Sequence, residues 1–338
     1  MNTTHKKTVL LLFGGESSEH DVSILSAQNV AAAIDTRSVT LFLCYIDPKG
    51  NWWHAETVEK TTGPADRISP VLGSSQVAIG GRIVPIDVIF PVLHGKNGED
   101  GTVQGLAALL HVPVVGCDMD GSLLCMDKGI AKQLLANAGI AVVPGRAYAA
   151  DTPPPFAALA REFGQTLFIK PARQGSSVGV SKVKTEAEYE AAFQEAGTFD
   201  NTVIVETAIK NARELEVAIL GGPRHAQASP AGEVIPDREF YDYASKYSSA
   251  STSRIVIPAA LSDGLHAQIQ RDALLAYQTL HCRGLARVDF FLTTDGTLYL
   301  NEINTMPGFT NISMYPKLWE SVGMDNQTLV MTLIDQAS

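Results

Sequence analysis

Apolar runs alternate with helical periodicity over the first third of the chain. The pattern predicts strands at 8–13, 39–46 and 87–93 and helices at 22–34 and 102–110. Such alternation is typical of a parallel sheet with helices on its faces. In that architecture ligands bind beyond the carboxyl ends of the strands, where the polar, glycine-containing segments 14–21 and 94–101 fall.

The rest of the chain mixes strands and helices less regularly. The predicted strands are 167–170, 178–183, 203–206, 214–220, 285–292 and 297–304, and the predicted helices are 129–138, 186–195 and 263–280. We therefore expect an α/β protein with α+β character in its later domains. The length favours more than one domain, and we place three at 1–123, 124–221 and 222–338.

The last two predicted strands flank Asp295-Gly296, a pair strongly favoured in two-residue hairpin turns. If these residues form the turn, Thr294 faces Thr297, and counting back residue by residue places Asp289 opposite Glu302. Two carboxylates that face each other across a hairpin repel and destabilise the sheet unless a positive charge lies between them. The hairpin therefore predicts a cation close to both carboxylates.

The same register places Arg287 opposite Asn304, and all four side chains project from one face because side chains alternate along a strand. Two carboxylates and the Asn304 amide oxygen form an oxygen-only ligand set that suits Mg²⁺. The alternative is that Asp289 and Glu302 are solvated on an exposed face. Against it, the neighbouring strand positions are apolar, and a breaker-rich loop, 305–310, follows.

A second candidate site follows Lys170, which ends a predicted strand before the small residues of 171–179. Backbone N–H groups of such a loop can close around phosphate oxygens, and the lysine adds a point charge. Alone, this segment is more typical of a plain hairpin turn, and it is not a Walker A motif. Beside a metal hairpin, phosphate binding becomes the favoured interpretation, because carboxylates and substrate phosphates commonly hold Mg²⁺ together.

Three other charged residues each allow two interpretations. Lys128, at the start of a predicted helix, is either a surface lysine or a phosphate contact. Glu206 and Glu214 flank a short linker after an apolar strand. They are either solvated or accept hydrogen bonds from an adenine amino group and a ribose hydroxyl, respectively.

The composition narrows the class of protein. The chain has 338 residues, of which 45% are hydrophobic and 18% charged, as in soluble globular proteins. A net charge of −10 argues against nucleic acid or an anionic membrane as the main partner. The apolar run after Lys6-Lys7 is too short for a signal peptide, and no stretch reaches the length of a membrane span. The four cysteines lack zinc-site spacing, so we expect reduced thiols and a cytoplasmic protein.

Several segments together resemble the ATP-grasp superfamily and, within it, the D-alanine–D-alanine ligases. They are FGGESSEHDVS at 13–23, LHGKNGEDG at 93–101, MDK at 126–128, KPARQGSSVG at 170–179, FYDYASKY at 240–247, RVD at 287–289 and NEINTMPGFT at 301–310. The resemblance covers essentially the whole chain and implies a three-domain ATP-grasp fold with an N-terminal parallel-sheet domain. It also implies a homodimer that joins two D-alanines at the expense of ATP, for peptidoglycan precursors.

The resemblance implies ligand contacts at the positions of this chain that match the family segments. One Mg²⁺ (or Mn²⁺) ion would be held by Asp289 and Glu302, and a second by Glu302 and Asn304. The implied ATP contacts are Lys128, Phe168, Lys170, Ser177, Glu206, Thr207, Ala208, Ile209, Glu214, Phe291 and Asn301.

The resemblance further implies how the first D-alanine is bound. Glu19 would hold its ammonium group, with His94 nearby, and Ser176 and Tyr247 would be hydrogen-bonded into the same site. Each of the last three has a structural alternative: His94 as a hydrogen-bonded loop histidine, Ser176 as a turn former and Tyr247 as a loop anchor. The match to the family segments favours the functional interpretation of each.

The implied chemistry begins with an acyl phosphate, because a carboxylate is a poor electrophile. The amine of the second D-alanine then attacks the acyl carbon, and the developing oxyanion needs preorganised donors. By resemblance these donors are the Arg287 guanidinium and the Gly308 N–H, while Ser313 and Lys246 would hold the second carboxylate. The segment 240–247 would be a mobile lid that excludes water.

Two features keep alternatives open. The aromatic lid pattern at 240–247 is similar to dipeptide-forming ligases, whereas relatives that make D-alanyl-D-lactate carry a different lid, and 210–214 is longer than the usual Lys-Gly-Arg-Glu linker. The rival enzyme is therefore a D-lactate-using or other ATP-grasp carboxylate–amine ligase. A nucleotide-binding regulator without catalysis is a third hypothesis, against which the retained Arg287 argues.

Overall fold

The computed structural model describes residues 6–59, 66–235 and 254–337. Within them the N-terminal sheet is mostly parallel and the later sheets are antiparallel, so the predicted fold class is confirmed.

The N-terminal unit is a sheet whose central strand is completely buried. Its elements are β1 (Lys7–Gly14), α1 (His20–Ala33), β2 (Val39–Ile46), β3 (Trp52–Ala55), β4 (Ile68–Val71), β5 (Gln76–Ile79), β6 (Arg82–Pro85), β7 (Val88–Val92), α2 (Thr102–Leu110) and α3 (Met119–Met126). The strand order is β3-β2-β1-β7, with β1 parallel to both β2 and β7. Residues 9–13 are inaccessible to solvent, which explains their continuous apolar run.

A small antiparallel sheet, β4-β5-β6, lies outside the predicted elements. Each of its strands has only four residues, Pro70 interrupts β4, and Ile83 of β6 is exposed. Short strands with an irregular apolar pattern leave little periodicity to detect.

The central unit is an antiparallel sheet of order β10-β9-β11-β8. Its elements are α4 (Lys128–Asn137), β8 (Gly145–Ala149), α5 (Phe156–Phe163), β9 (Leu167–Pro171), β10 (Ser181–Val183), α6 (Glu186–Phe199) and β11 (Thr202–Thr207). The predicted strand at 178–183 is wrong in its first half, because the chain turns through 176–179 and β10 begins only at Ser181. Neither β8 nor α5 is among the predicted elements.

The C-terminal unit is built on an antiparallel sheet of order β15-β14-β12-β16-β17, with β13 also paired to β12. Its elements are β12 (Arg213–Gly221), β13 (Gln227–Ala228), β14 (Gly232–Ile235), β15 (Arg254–Val256), α7 (Asp263–Thr279), β16 (Gly284–Leu292), β17 (Leu298–Asn304), α8 (Met314–Glu320) and α9 (Asn326–Gln336). This sheet includes β12, which precedes the boundary placed at 221, and the boundary placed at 123 falls within α3.

Apolar packing joins the first and last units. One core cluster combines Leu11 and Phe90 of the N-terminal sheet with Phe309, Trp319 and Leu333 from the C-terminal end of the chain. The segments predicted to bind ligands therefore meet at the junction of the units, where a shared core fixes their relative positions.

Two further expectations concern thiols and membranes. All four cysteines are free and buried. Among the residues that the structure describes, no helix combines the length and the apolar character needed to cross a bilayer.

Candidate active site

The β16–β17 hairpin presents the predicted metal-binding residues on one face. Asp289 pairs with Glu302 and Arg287 pairs with Asn304, so the predicted cross-strand pairs are confirmed. The Asn304 Nδ2 donates to Asp289 Oδ2 at 3.0 Å, as side chains on a common face can.

The two-residue turn predicted to set this register is not the turn in the structure. Thr293, rather than Thr294, is hydrogen-bonded to Thr297, through a 3.0 Å bond from the Thr293 N–H to the Thr297 carbonyl. The loop is therefore one residue longer than predicted. A β-bulge at Asn301 adds one residue to the other strand, so the two departures cancel before Glu302.

Arg287 supplies the positive charge that the facing carboxylates require. Its Nε and Nη2 donate to the two oxygens of Asp289, each at 2.7 Å. Burial acts to lower the pKa of Arg287, but the carboxylates of Asp289 and Glu216 raise it well above its usual value. The guanidinium therefore stays charged in a largely buried position.

Glu216 was not predicted as a site residue. It lies opposite Asp289 on the neighbouring strand β12, and its Oε2 is 3.0 Å from Arg287 Nε. The detectable signal was the alternation of Glu214, Leu215 and Glu216, which predicts two carboxylates on one face of a strand.

Lys128 approaches the hairpin at Glu302. Its Nζ is 3.7 Å from Glu302 Oε2 and donates to the Gln174 carbonyl at 2.8 Å. Asp127 fixes this position by capping α4, since its Oδ1 accepts from the N–H groups of Gly129 and Ile130. Lys128 thus connects the hairpin to the loop between β9 and β10.

The donor chemistry of the hairpin fits a hard divalent cation. Asp289 and Glu302 offer carboxylate oxygens, and Asn304 offers an amide oxygen. Within 6–59, 66–235 and 254–337, no cluster of three or more His, Cys, Asp and Glu side chains is arranged to hold a metal by itself. A metal held here would therefore need the amide and ligand oxygens as well as the two carboxylates.

Residues 172–180, the phosphate loop, connect β9 to β10. Ser176 and Ser177 have φ angles of 51° and 60°, in the left-handed region that few non-glycine residues adopt. The Ser176 hydroxyl donates to Glu19 Oε1. A side chain at Gly175 would lie 3.0 Å from Glu19 Oε2, so the loop packs tightly against this carboxylate.

Glu19 belongs to the wall that the N-terminal unit contributes. It precedes α1 and is buried, and its N–H donates to Ser17 Oγ at 3.1 Å. The same hydroxyl donates to the His94 carbonyl at 2.7 Å. Burial lowers the pKa of His94, partly offset by the charge of Glu19. His94 also contacts the Met306 carbonyl through Nδ1 at 3.1 Å.

Glu99 is a second carboxylate on this wall that was not predicted as a site residue. Its Oε2 accepts from the Gly95 N–H at 2.7 Å. Burial and the nearby charge of Glu19 raise the pKa of Glu99 to about 8. Its place in the segment 93–101 was the available signal, although nothing in the sequence alone brings it near Glu19.

The loop after β17 carries the remaining predicted residues. Ser313 Oγ accepts from the Thr310 N–H at 3.0 Å. A side chain at Gly308 would lie 2.8 Å from the same hydroxyl, so Gly308 and Ser313 are close neighbours. The Phe309 N–H donates to Ser26 of α1 at 3.2 Å, which anchors the loop on the N-terminal unit.

A cavity of about 40 Å³ joins these parts. Its lining includes residues of all three units, namely Glu99, Lys128, Gly175, Ser176, Glu302 and Asn304. The structure therefore brings the predicted first-substrate wall, phosphate loop and metal hairpin around one space.

The predicted nucleotide contacts of the central unit surround a buried ion cluster. Lys170 Nζ is 2.7 Å from Glu206 Oε2, and Phe168 lies opposite Glu206 in the β9–β11 ladder. Lys132, which was not predicted, contacts the other oxygen of Glu206. The sequence feature that could have indicated Lys132 is its spacing from Lys128, since residues four apart lie one turn apart on the same face of α4.

The other predicted nucleotide contacts lie on either side of this cluster. Thr207 and Ala208 are hydrogen-bonded through their N–H groups to Pro144 and Thr166, and Ile209 follows them. On the C-terminal sheet, Glu214 pairs with Phe291, and Asn301 forms the bulge described above. Ser177 lies in the phosphate loop. Lys246 and Tyr247, with the predicted lid, lie outside the described residues.

Comparison with known proteins agrees with this arrangement. The model for the D-ala D-ala ligase N-terminus matches residues 8–117, and the model for the D-ala D-ala ligase C-terminus matches residues 134–335.

Curated relatives match over nearly the full length of the chain. The chain is 43% identical to a D-alanine–D-alanine ligase of Shouchella clausii and 44% identical to D-alanine–D-alanine ligase A of Chromobacterium violaceum. Each alignment covers 98% of this chain and 95% of the relative.

Two solved structures are similar in both fold and sequence. The D-alanine-D-alanine ligase from Coxiella burnetii superposes with a TM-score of 0.86 at 35% identity, covering 98% of this chain and 95% of the other. The VanG D-Ala:D-Ser ligase from Enterococcus faecalis gives 0.87 at 35% identity, covering 98% and 99%. By its family models and its full-length relatives, the chain belongs to the D-alanine–D-alanine ligase family of ATP-grasp enzymes.

Proposed function

We propose that this enzyme joins two D-alanines into D-alanyl-D-alanine, with ATP converted to ADP and phosphate, through a D-alanyl phosphate intermediate. The observation that carries the proposal is the single cavity shared by the hairpin, the phosphate loop and the Glu19 wall. A binding protein without catalysis would not need a largely buried arginine held on Asp289 of the hairpin. The product serves peptidoglycan synthesis, as the family implies.

Phosphoryl transfer comes first because the carboxylate of D-alanine needs a better leaving group than oxide. The carboxylate oxygen attacks the γ-phosphorus of ATP, and the negative charge of the phosphates must be offset. We assign this role to Lys128 and Lys170, which lie on either side of the phosphate loop. N–H groups of the loop, including that of Ser177, add further donors.

The hairpin is the proposed place of two Mg²⁺ or Mn²⁺ ions. Asp289 and Glu302 would hold one, and Glu302 and Asn304 the other. Such ions would withdraw charge from the phosphate oxygens and orient them. In the structure Arg287 donates to both oxygens of Asp289 and Asn304 donates to one of them, so neighbouring side chains already orient this carboxylate.

We assign the first D-alanine to the wall of the N-terminal unit. Glu19 is a buried carboxylate suited to an ammonium group, and His94 lies behind it. Ser176 keeps Glu19 in position by a hydrogen bond. Tyr247 is proposed to complete this network from the lid.

In the second step, the amine of the second D-alanine attacks the acyl carbon and phosphate leaves. Charge then develops on the acyl oxygen, and the Arg287 guanidinium with the Gly308 N–H are the proposed donors. Ser313, next to Gly308, would bind the carboxylate of the second substrate together with Lys246. The segment 240–247 is proposed to exclude water, because water would hydrolyse the acyl phosphate.

The nucleotide contacts divide between two sheets in this proposal. Glu206 would accept from the adenine amino group on the central sheet, and Glu214 from a ribose hydroxyl on the C-terminal sheet. The side chains of Phe168 and Phe291 lie beside them in the respective ladders. ATP would thus be held between the two sheets.

The test is to measure ADP release with D-alanine, D-serine or D-lactate alone, and with D-serine or D-lactate added to D-alanine. Mass spectrometry would identify the products. We expect turnover with D-alanine alone. A strict need for D-lactate or another second substrate would favour the rival ligase, and the VanG D-Ala:D-Ser ligase shows that this fold accepts such variation. If the protein binds ATP but releases no ADP under any of these conditions, the proposal that it is an enzyme would be contradicted.

Two further proposals concern the state of the protein. Four free, buried thiols are consistent with a cytoplasmic protein. A homodimer is proposed from the family, and sedimentation or light scattering would measure it.

A further inference from the structure

Lys132 is a buried lysine that the mechanism above does not use. It lies one turn after Lys128 on α4, with only 8% of its surface exposed. Its Nζ forms an ion pair with Glu206 Oε1, at the bottom of the proposed adenine site. A lysine is almost never buried to this extent without a charged partner and a reason to be there.

Glu206 is held by two lysines, one at each carboxylate oxygen. Lys132 contacts Oε1, and Lys170 lies 2.7 Å from Oε2. The side chains of Glu206, Lys132 and Lys170 are 4%, 9% and 10% exposed, so the cluster is buried as a whole. One carboxylate cannot neutralise two ammonium groups, and the site therefore carries an excess positive charge suited to an incoming phosphate.

The two lysines differ in what they can reach. Lys170 lies one residue before the end of β9, beside the phosphate loop, whereas Lys132 projects from α4 and contacts the other oxygen of Glu206. When ATP binds, Lys170 is the lysine placed to turn toward the phosphates. Glu206 would then lose one of its two partners in a buried position, where an unpaired carboxylate is costly and tends to take up a proton.

We infer that Lys132 is a positioning residue for the nucleotide: it keeps Glu206 ionised and oriented toward the adenine amino group while Lys170 serves the phosphates. This inference rests on the proposed function, since it assumes ATP between the two sheets. Burial lowers the pKa of Lys132 to about 8, but the charge of Glu206 opposes this shift and favours the ammonium form. Burial raises the pKa of Glu206, but the two lysines lower it more, so this pKa lies below its usual value.

If Lys132 positions Glu206, its loss should reduce selectivity for the adenine amino group. If Lys132 only supports the fold, that selectivity should not change. The probe is purine riboside triphosphate, which has a hydrogen in place of the 6-amino group and is otherwise the same ligand. Dissociation constants of ATP and of this analogue, each with Mg²⁺, would be measured by calorimetry without D-alanine. The variants are Lys132→Met, Lys132→Arg and, as a control for charge, Lys184→Met on the exposed surface of the same unit.

For Lys132→Met we expect ATP binding to weaken about tenfold, the loss of one hydrogen bond to a charged group. Binding of the analogue should change less than about twofold, because it never used the Glu206 contact. Lys132→Arg should restore most of the preference for ATP, and Lys184→Met should match the parent protein. In steady-state assays Lys132→Met should raise the KM for ATP more than it lowers kcat.

Equal weakening of both nucleotides would overturn the inference, because it would mean that Lys132 acts on the phosphates. An unchanged preference for ATP would also overturn it. Glu206→Gln gives an independent measurement if Lys132→Met does not fold. It should lower the preference for ATP, because a neutral amide oxygen is a weaker acceptor than a carboxylate, and Lys132→Arg added to it should cause no further change in that preference.

The outcome is distinguishable from failure of the proposed function. All of these binding measurements omit D-alanine, so they report on the nucleotide site alone. A parent protein that prefers ATP over the analogue but forms no dipeptide would refute the ligase proposal and leave the role of Lys132 standing. Conversely, the parent protein could ligate D-alanine normally while Lys132→Met weakens both nucleotides equally or leaves the preference for ATP unchanged. That result would support the ligase proposal and refute the role of Lys132.

Discussion

The metal hairpin and the phosphate loop face the same cavity, but they are built in different ways. In the hairpin, backbone pairing of β16 with β17 sets Asp289 against Glu302. In the phosphate loop, the chain belongs to no strand, and Ser176 and Ser177 adopt left-handed backbone conformations. Side chains from elsewhere hold that loop: Glu19 through Ser176, and Lys128 through the Gln174 carbonyl.

This difference predicts how each side responds to change. A register in a sheet is shared by every residue of the strand, so one slip moves several side chains at once. Contacts that hold a loop are separate, so losing one weakens the position of the loop without destroying it. We therefore expect large losses from changes in the hairpin and graded losses from changes around the loop.

The largest effect should follow deletion of Ile303. Its removal places Asn304 opposite Val288, on the face of the strand that points into the core, because side chains alternate. Dipeptide formation should fall to background, and the melting temperature should drop because Ile303 leaves the core. Deletion of the exposed Thr294 is the matched control, since it only shortens the turn and should leave activity near that of the parent.

Equal activity of the two deletion variants would contradict the role given to the register. A loss of melting temperature in both, with activity retained in both, would do so as well.

Glu302→Gln should lower kcat about 1000-fold, because metal ligation accounts for several kcal/mol of transition-state stabilisation. The shape of the side chain is kept, so the melting temperature should stay within a few degrees of the parent. Steady-state ADP release and thermal unfolding measure the two properties. Near-normal turnover would show that the metal assignment is wrong, and the exposed Glu320→Gln provides the comparison.

Arg287→Lys should lower kcat about 100-fold, the typical effect of losing one oxyanion donor. A lysine keeps the charge but cannot form the paired bonds that Arg287 makes to Asp289. The KM for ATP should change much less than kcat, which steady-state kinetics would show. Arg283→Lys, in the surface ion pair with Asp118, is the control and should be neutral.

Ser176→Ala should lower kcat/KM for D-alanine about tenfold, through loss of one hydrogen bond to a carboxylate. The loop keeps its contact with Lys128, so the loss should be graded. The exposed Ser38→Ala should have no effect. A loss as large as that of Glu302→Gln would remove the distinction between the two sides of the site.

Unlike the preceding changes, the effect expected at Glu99 concerns stability and its pH dependence rather than turnover. Its pKa is raised to about 8, so the folded state holds a proton that the unfolded state releases near the ordinary carboxyl pKa. The stabilisation is therefore present in acid and is lost as the pH rises toward 8. Glu99→Gln mimics the protonated acid, so its stability relative to the parent should rise by about 3 kcal/mol between pH 5 and pH 8.

Chemical denaturation at the two pH values would measure this difference. A relative stability that is constant with pH would show that Glu99 ionises normally, and one that falls would show that its pKa is lowered rather than raised.

Local pattern predicted most of the regular structure and the chemistry of the hairpin. The bounds of β2 and α2 follow directly from their apolar patterns. The pairing of Asp289 with Glu302 was correct although its turn was not, because the longer loop and the bulge at Asn301 compensate each other. A bulge has no strong sequence signal, so this compensation could not be foreseen.

What the sequence could not supply was contact between distant segments. Glu99 becomes unusual only because it packs near Glu19, and Lys132 only because it contacts Glu206. The sequence pattern predicts a strand over part of the phosphate loop, because small residues between two apolar runs resemble a tight hairpin. Ser176 and Ser177 are left-handed there, and Ser176 donates to Glu19, far away in the chain.

Transfer of oxygen-18 tests most directly whether the site forms an acyl phosphate. D-alanine labelled in its carboxylate would be supplied with unlabelled ATP, and the phosphate released with each dipeptide would be examined by mass spectrometry. We predict one labelled oxygen in each phosphate, because the attacking carboxylate oxygen leaves with phosphorus when the amine displaces it. Unlabelled phosphate would mean that carboxylate and ATP never became joined, and it would contradict the proposed chemistry.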